Sequence, residues 1–402
     1  MAYPASDSAP RVVSGCRLGT VCAGIRRPDR RDLVVMELAP GSQAAALFTR
    51  NRFRAAPVRL AEHHLAIQSP RYLLINTGYA NAGTGAAGEQ AAVACCEALA
   101  AHCGCPNTAV LPFSTGIIGE PLPVETICQA LPAAVADLRP DGWLAAAEGI
   151  QTTDTRSKLS SLHFELSGGP CTVTGMAKGA GMIRPNMATM LAFLATDAQL
   201  PAELLKSALQ RAVARSFNRV TVDGDTSTND ACLLAATGQG PQITGEGTDY
   251  ERFQAALEAV AIDLARAIAA DGEGATRLVD VEVTGARSTA EAERVAFTVA
   301  ESPLVKTALA AADPNWGRVL AAIGRAGVDD LEIDRVALHF GDQPIAVAGC
   351  RSPEYDEAAA AAALAGAQVR IAIDLGRGTA QATVWTCDMT AEYVRINAEY
   401  RT

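Results

Sequence analysis

Short apolar runs alternate along this chain with longer segments of helical spacing. Residues 34–38 and 72–76 are short, apolar and β-rich, the pattern of buried strands. Residues 162–166, 190–195, 278–283, 335–340, 369–374 and 382–386 also read as strands. Helical spacing recurs at 89–102, 124–135, 202–215, 250–270, 290–297, 316–325 and 356–365. Ser288 and Thr289 stand where helix N-caps stand. Several predicted strands follow one another without an intervening helix. The pattern therefore predicts an α/β protein with mixed or antiparallel sheets layered by helices, not a doubly wound parallel sheet. No repeat or low-complexity linker divides the chain, and a domain boundary is placed at 280–290.

The 402 residues, 49% hydrophobic and 19% charged, are enough for a sizeable core. A formal net charge of −10 offers no basic excess for nucleic acid. No segment approaches the ~20 apolar residues of a membrane span, and the N-terminus lacks a basic region followed by an apolar core. A cytoplasmic location is expected. The eleven cysteines are scattered without a CxxC pair, and the five histidines add no zinc spacing. Reduced, mostly buried cysteines and no metal are expected.

The chemistry concentrates in Gly175-Met-Ala-Lys-Gly-Ala-Gly-Met-Ile-Arg-Pro-Asn-Met-Ala-Thr-Met-Leu191, read as a glycine-rich, mobile loop running into an apolar strand that begins at Thr189. A threonine hydroxyl inside a chain is a poor nucleophile without a base beside it. Cutting the Ala188–Thr189 bond would put an α-amine on the same residue as the hydroxyl. That amine has an ordinary pKa of about 7.7–8.0, much better matched to neutral pH than lysine. Such a pair is one form of activated nucleophile. On pattern alone, Ala-Thr-Met at a strand start reads as an ordinary β-strand.

The wider sequence resembles the ornithine acetyltransferases, or bifunctional glutamate N-acetyltransferases, of arginine biosynthesis. Besides the Ala-Thr-Met-Leu stretch, the resemblance lies in Gln151-Thr-Thr-Asp-Thr155 and Ser216-Phe-Asn-Arg-Val-Thr-Val-Asp-Gly-Asp-Thr-Ser-Thr-Asn-Asp230. It continues in Gly272-Glu-Gly-Ala-Thr276, Ser302-Pro-Leu-Val-Lys-Thr307, Asp313-Pro-Asn-Trp-Gly-Arg318 and Ile396-Asn-Ala-Glu-Tyr-Arg-Thr402. It implies a layered αββα-type sandwich and self-cleavage between Ala188 and Thr189, giving an α chain of 1–188 and a β chain of 189–402. Two of each are expected to assemble as a heterotetramer. It further implies that Thr189 takes the acetyl group of N2-acetylornithine and passes it to glutamate. Thr115 and Gly116 would form the oxyanion hole, and Thr152, Lys178, Thr189, Glu273, Asn397 and Thr402 would bind substrate. No cofactor is implied, and acetyl-CoA would be a second donor in a bifunctional member. Two departures stand out: Tyr79 where asparagine is usual, and Arg184 where histidine is frequent.

Competing signals are weaker. Gly83-Thr-Gly-Ala-Ala-Gly88 matches GxGxxG, but no acidic residue follows at the dinucleotide spacing. The run Asp223–Asp230 carries three carboxylates, a cation-like density, and is read instead as a structural or substrate-adjacent loop. The alternative functions are a self-processing amidase or aminopeptidase, and an unprocessed binding protein.

Overall fold

The computed structural model describes residues 10–184 and 190–399. Two sheets stack face to face near the N-terminal end of the fold. One has the order β1 (Cys16–Val21), β2 (Leu33–Leu38), β4 (Tyr72–Tyr79), β5 (Val110–Ile117). The other runs β3 (Gln43–Phe48), β9 (Ala231–Ala236), β8 (Leu191–Thr196), β7 (Gly169–Lys178), β6 (Lys158–Leu166). Alternation along the strands sends side chains both ways. Val34, Met36 and Leu38 meet Leu191, Phe193 and Leu233 in a core between the sheets. There Phe113 and Phe193 pack edge to face at 5.0 Å.

The opposite faces are equally apolar. Leu33, Val35 and Leu74 pack under α2 (Gly85–Cys103) and α3 (Val124–Ala136). Ala192, Leu194 and Leu234 pack under α5 (Ala202–Arg215) and α6 (Thr248–Ala270). The result is helix, sheet, sheet, helix, with α1 (Ala56–Ile67) against β5 and α4 (Trp143–Gly149) against the inter-sheet core. Strands buried on both faces read as unbroken apolar runs for this reason.

A third, six-stranded sheet has the order β13 (Cys350–Arg351), β12 (Gln343–Val347), β11 (Ala337–Phe340), β14 (Gln368–Asp374), β10 (Leu278–Ala286), β15 (Ala380–Cys387). It shares a separate core with α7 (Thr289–Ala300), α8 (Pro303–Ala310), α9 (Trp316–Gly324) and α10 (Glu357–Leu364). Trp385 and Cys387 of β15 reach the core under α6. Ser288 caps α7 by accepting the Glu291 N–H at 3.2 Å, while Thr289 is already helical. The last helix, α11 (Ala391–Glu399), buries none of its residues.

Two sequence expectations need correcting. The glycine-rich stretch does not form one loop, because Gly175–Lys178 closes strand β7, and β8 begins at Leu191. Residues 335 and 336 precede β11, in a short 3-10 turn and its cap. All eleven cysteines are free, six of them buried. Burial raises the thiol pKa of Cys95 and Cys171 to about 12 and keeps both protonated.

Parallel strands β4 and β5 pair Gly78 with Gly116. Gly116 has φ +135°, and a β-carbon there would lie 2.2 Å from the Gly78 carbonyl carbon. A side chain at 116 must both adopt that conformation and push the strands apart. Gly116→Ala is expected to lower unfolding stability by about 2–4 kcal/mol, measured by urea titration. An unchanged midpoint would show that the strands separate freely.

Candidate active site

One end of the sandwich carries a small pocket of about 110 Å³. The C-terminal end of β5 brings Thr115 and Gly116, and the loop after α4 brings Thr152. The last residue of β7 is Lys178, while Met190 precedes β8 and Leu191 opens it, and Asn229 and Asp230 precede β9. Glu273 arrives from the turn after α6 and Asn397 from α11. Six residues singled out in the sequence, Thr115, Gly116, Thr152, Lys178, Glu273 and Asn397, thus line one cavity. Ala188, Thr189 and Thr402 lie outside the described residues.

Lys178 is 9% exposed, and its ammonium donates to Thr152 Oγ1 at 2.8 Å and Thr115 Oγ1 at 3.3 Å. Burial pushes its pKa down, against the nearby charge of Asp154. Asp154 Oδ1 accepts the Gly179 N–H at 2.7 Å and the Lys158 ammonium at 2.6 Å. Its Oδ2 accepts the Thr152 N–H at 2.9 Å. Burial alone would raise the pKa of this carboxyl. The ammonium charges of Lys178 and Lys158, with the Gly179 N–H, outweigh burial and hold it below the usual carboxylate range. Asp271, just before the turn that carries Glu273, takes Lys158 at 2.6 Å. A buried chain of two acids and two lysines therefore underlies the pocket floor. Sequence reading missed Asp154, Lys158 and Asp271 as supports, although Asp154 sits within the quoted 151–155 motif.

The glutamate side is tied just as closely. Asn397 Nδ2 donates to Glu273 Oε2 at 2.8 Å, and the Glu273 N–H donates to the Ala180 carbonyl at 2.9 Å. Gly181 leaves room for it, since a β-carbon there would lie 2.5 Å from the Glu273 carboxylate. Asp223 holds the segment entering residue 185: its carboxylate accepts the Met182 N–H at 2.6 Å and the Ile183 N–H at 2.9 Å. Of the three carboxylates that suggested a cation, Asp223 is thus engaged by backbone. Among the described residues, no group of three or more acids, histidines or cysteines is arranged to hold a metal ion.

Asp230 also went unnoticed as a site residue. It is 3% exposed, its Oδ2 has no hydrogen-bond partner among the described residues, and the Met190 N–H donates to its carboxyl. Burial raises its pKa well above the ordinary value, against the Ser227 hydrogen bond and the Lys178 charge. An acid with a raised folded pKa is a stability cost that grows as pH climbs above the unfolded value, about 3.9, and levels off past the folded one. Asp230→Asn carries no such charge. Its Tm, followed by calorimetry from pH 4 to pH 8, is expected to gain on the parent as pH rises, until the folded pKa is passed. A gap that stays constant over that range would mean Asp230 is not held neutral.

Neither departure enters the pocket. Tyr79 packs with the cluster under α2 and α3 and is not among the lining residues. Arg184 pairs with Glu301 at 2.5 Å and stacks over Phe297 at 4.8 Å, which offsets its charge. In the GxGxxG stretch, the Gly88 carbonyl accepts the Asn81 amide at 2.8 Å, and Asn81 Oδ1 accepts the Thr84 hydroxyl. A β-carbon at 88 would collide with Thr84, so this glycine serves a tight helix start.

Two stacked sheets between helix layers, with a hydroxyl–glycine pair at a strand end facing a buried ammonium in a small polar cavity, define an α/β enzyme equipped for acyl transfer. The ArgJ family model matches residues 17–402, and the chain belongs to that family. It is similar to the arginine biosynthesis bifunctional protein ArgJ of Methylococcus capsulatus, 54% identical over 97% of this chain and 96% of that protein. The protein of the same name from Pseudomonas syringae pv. tomato is 53% identical over 97% of each. A crystal structure of the Bacillus halodurans ArgJ protein is 40% identical, covers 51% of this chain and 96% of its own, and has a TM-score of 0.49.

Proposed function

We propose that this ArgJ-family enzyme moves the acetyl group of N2-acetylornithine to glutamate through an acetyl ester on Thr189. The convergence of Thr115, Gly116, Thr152, Lys178, Glu273 and Asn397 around Met190, the residue that follows the nucleophile, carries this reading. The Thr189 hydroxyl adds to the acetyl carbon, its proton passes to the α-amine of the same residue, and the departing amine of ornithine takes that proton up. The glutamate amine then attacks the ester and regenerates the hydroxyl.

Thr115 and the Gly116 N–H serve the developing oxyanion, where losing one donor costs about 2.7–4 kcal/mol in comparable sites. Lys178 meets the α-carboxylate shared by donor and acceptor. Glu273, held by Asn397, faces the ornithine ammonium, and Thr402 completes the binding set. Self-cleavage before Thr189 frees the amine and divides the chain into segments 1–188 and 189–402, two of each forming the working assembly. No cofactor is needed, acetyl-CoA is the second donor that the relatives' word "bifunctional" suggests, and the location is cytoplasmic. No helix among the described residues is long and apolar enough to cross a membrane.

The test is intact mass on a denaturing separation, followed by acetyl transfer from acetylornithine with and without glutamate. Two fragments meeting at Ala188/Thr189 and glutamate-dependent turnover support the reading. Free acetate released without glutamate would identify an amidase instead, and an uncut chain would remove the nucleophile.

A further inference from the structure

A second, smaller cleft lies against the pocket and shares two of its wall residues, Gly116 and Thr152. The rest of its lining includes Arg26, Arg27, Arg30, Asp32, Gly78 and Gln151. The loop between β1 and β2 supplies the three arginines. That loop is wound around Asp32, whose carboxylate accepts the Ala23 N–H at 2.7 Å and the Ile25 N–H at 2.6 Å. Asp32 is 4% exposed and is itself part of the cleft wall, a single carboxylate already taken up by these N–H groups against three arginines.

Arg30 Nη1 donates to the Thr152 carbonyl at 3.0 Å, on the residue whose hydroxyl takes Lys178 in the main pocket. Arg26 and Arg27 are exposed, and neither guanidinium has an ion-pair partner among the described residues. Arg31, the loop's other arginine, is already engaged with Thr20 and Glu148. Gly78 lets the Arg26 stem lie across the end of β4, since a β-carbon there would come within 3.1 Å of Arg26 Cβ. On a chain of net charge −10, a cleft with three arginines is a local reversal of sign that draws anions.

A ligand that fits both spaces is long, carries an acyl group at one end and is anionic at the other. Guanidinium forks suit phosphate. We propose that the Arg26–Arg27–Arg30 cleft binds the phosphate groups of an acetyl thioester donor of the coenzyme A kind, whose acetyl end reaches the Thr115–Gly116 pocket. This rests on the acyl-transfer reading above. In that step the Thr189 hydroxyl oxygen bonds to the acetyl carbon and the carbon–sulfur bond breaks. The hydroxyl proton goes by way of the α-amine to the sulfur, releasing a free thiol.

The experiment compares the parent enzyme with Arg26→Ala/Arg27→Ala, both exposed positions, at saturating glutamate. Donors are acetyl-CoA, acetyl-pantetheine without phosphates, and N2-acetylornithine. The ratio of the KM for acetyl-CoA to the KM for acetylornithine is expected to rise about tenfold in the variant. The KM for acetyl-pantetheine starts high in the parent and does not change. Arg26→Lys/Arg27→Lys restores part of the loss, and added salt raises the acetyl-CoA KM of the parent alone. An unchanged ratio, or equal KM values for the two thioesters, overturns the site. Turnover of acetylornithine without any of acetyl-CoA also overturns it while leaving the acyl-transfer reading intact. Transfer from neither donor brings down that reading, and the site with it.

Discussion

Thr189→Ala is expected to leave the chain in one piece and to lower acetyl transfer by about ten-thousandfold or more. Both effects have one cause. The hydroxyl is proposed first to attack the preceding carbonyl, moving the chain onto oxygen as an ester that water then hydrolyses to part Ala188 from Thr189, and afterwards to attack the acetyl donor. Removing it removes both steps and leaves the binding groups in place. Lys178 keeps its contacts to Thr152 and Thr115, and Glu273 keeps Asn397. Acetylornithine should therefore still bind the variant, measured by calorimetry, while mass analysis finds the uncut chain. Thr189→Ser keeps a hydroxyl and should cleave, at a lower rate. Normal cleavage in the alanine variant would place the processing chemistry elsewhere.

How much of this was legible in the sequence depends on how local each signal is. Strands 34–38 and 72–76 were readable because burial on both faces makes them mostly apolar. Strand β7 was hidden behind Gly175 and Lys178, which look like loop residues. Gly175 is there for packing, since a β-carbon would sit 3.0 Å from Leu264 of α6. Lys178 is the strand's functional end. Strand β5 carries Pro112, which a central strand resists, yet β5 is the edge of its sheet. Strand β9, Ala-Cys-Leu-Leu-Ala-Ala, reads as readily for helix, and only its place between β3 and β8 decides.

The site divides in the same way. Its lining residues were legible through the resemblance, whereas the supports beneath them arise from contacts across more than a hundred positions, as between Lys158 and Asp271. Asp230 was read only as part of a run of acids and hydroxyls. Its meaning appears when burial and an unpartnered oxygen are seen together at the pocket wall. The basic loop gave no signal at all, because Arg26 and Arg27 gain interest only from the cleft they face.

The other large effect is expected at Asp154, which touches no substrate and holds two parts of the pocket at once. Its side chain, like that of Lys158, has no exposed surface, and Asp271 is 3% exposed. Asp154→Ala strands the Thr152 and Gly179 N–H groups and leaves two buried ammonium groups facing one remaining carboxylate. Removing one partner of a buried ion pair typically costs about 3–5 kcal/mol, and that loss is expected in urea unfolding at pH 7. The pH dependence has a definite sign. The folded pKa of Asp154 is depressed, so its stabilisation is fully present above the unfolded value of about 3.9 and fades only as pH falls through the folded one. Parent and variant should therefore converge in acid and stay far apart from neutral to alkaline pH. A second readout separates positioning from bulk stability. Without Asp154, burial acts on Lys178 with less opposition, so its pKa falls further. The alkaline limb of kcat/KM for acetylornithine should move to lower pH in Asp154→Asn, the milder change. A variant that loses stability but keeps the parent's alkaline limb would show that Asp154 holds the fold alone and leaves the charge of Lys178 untouched.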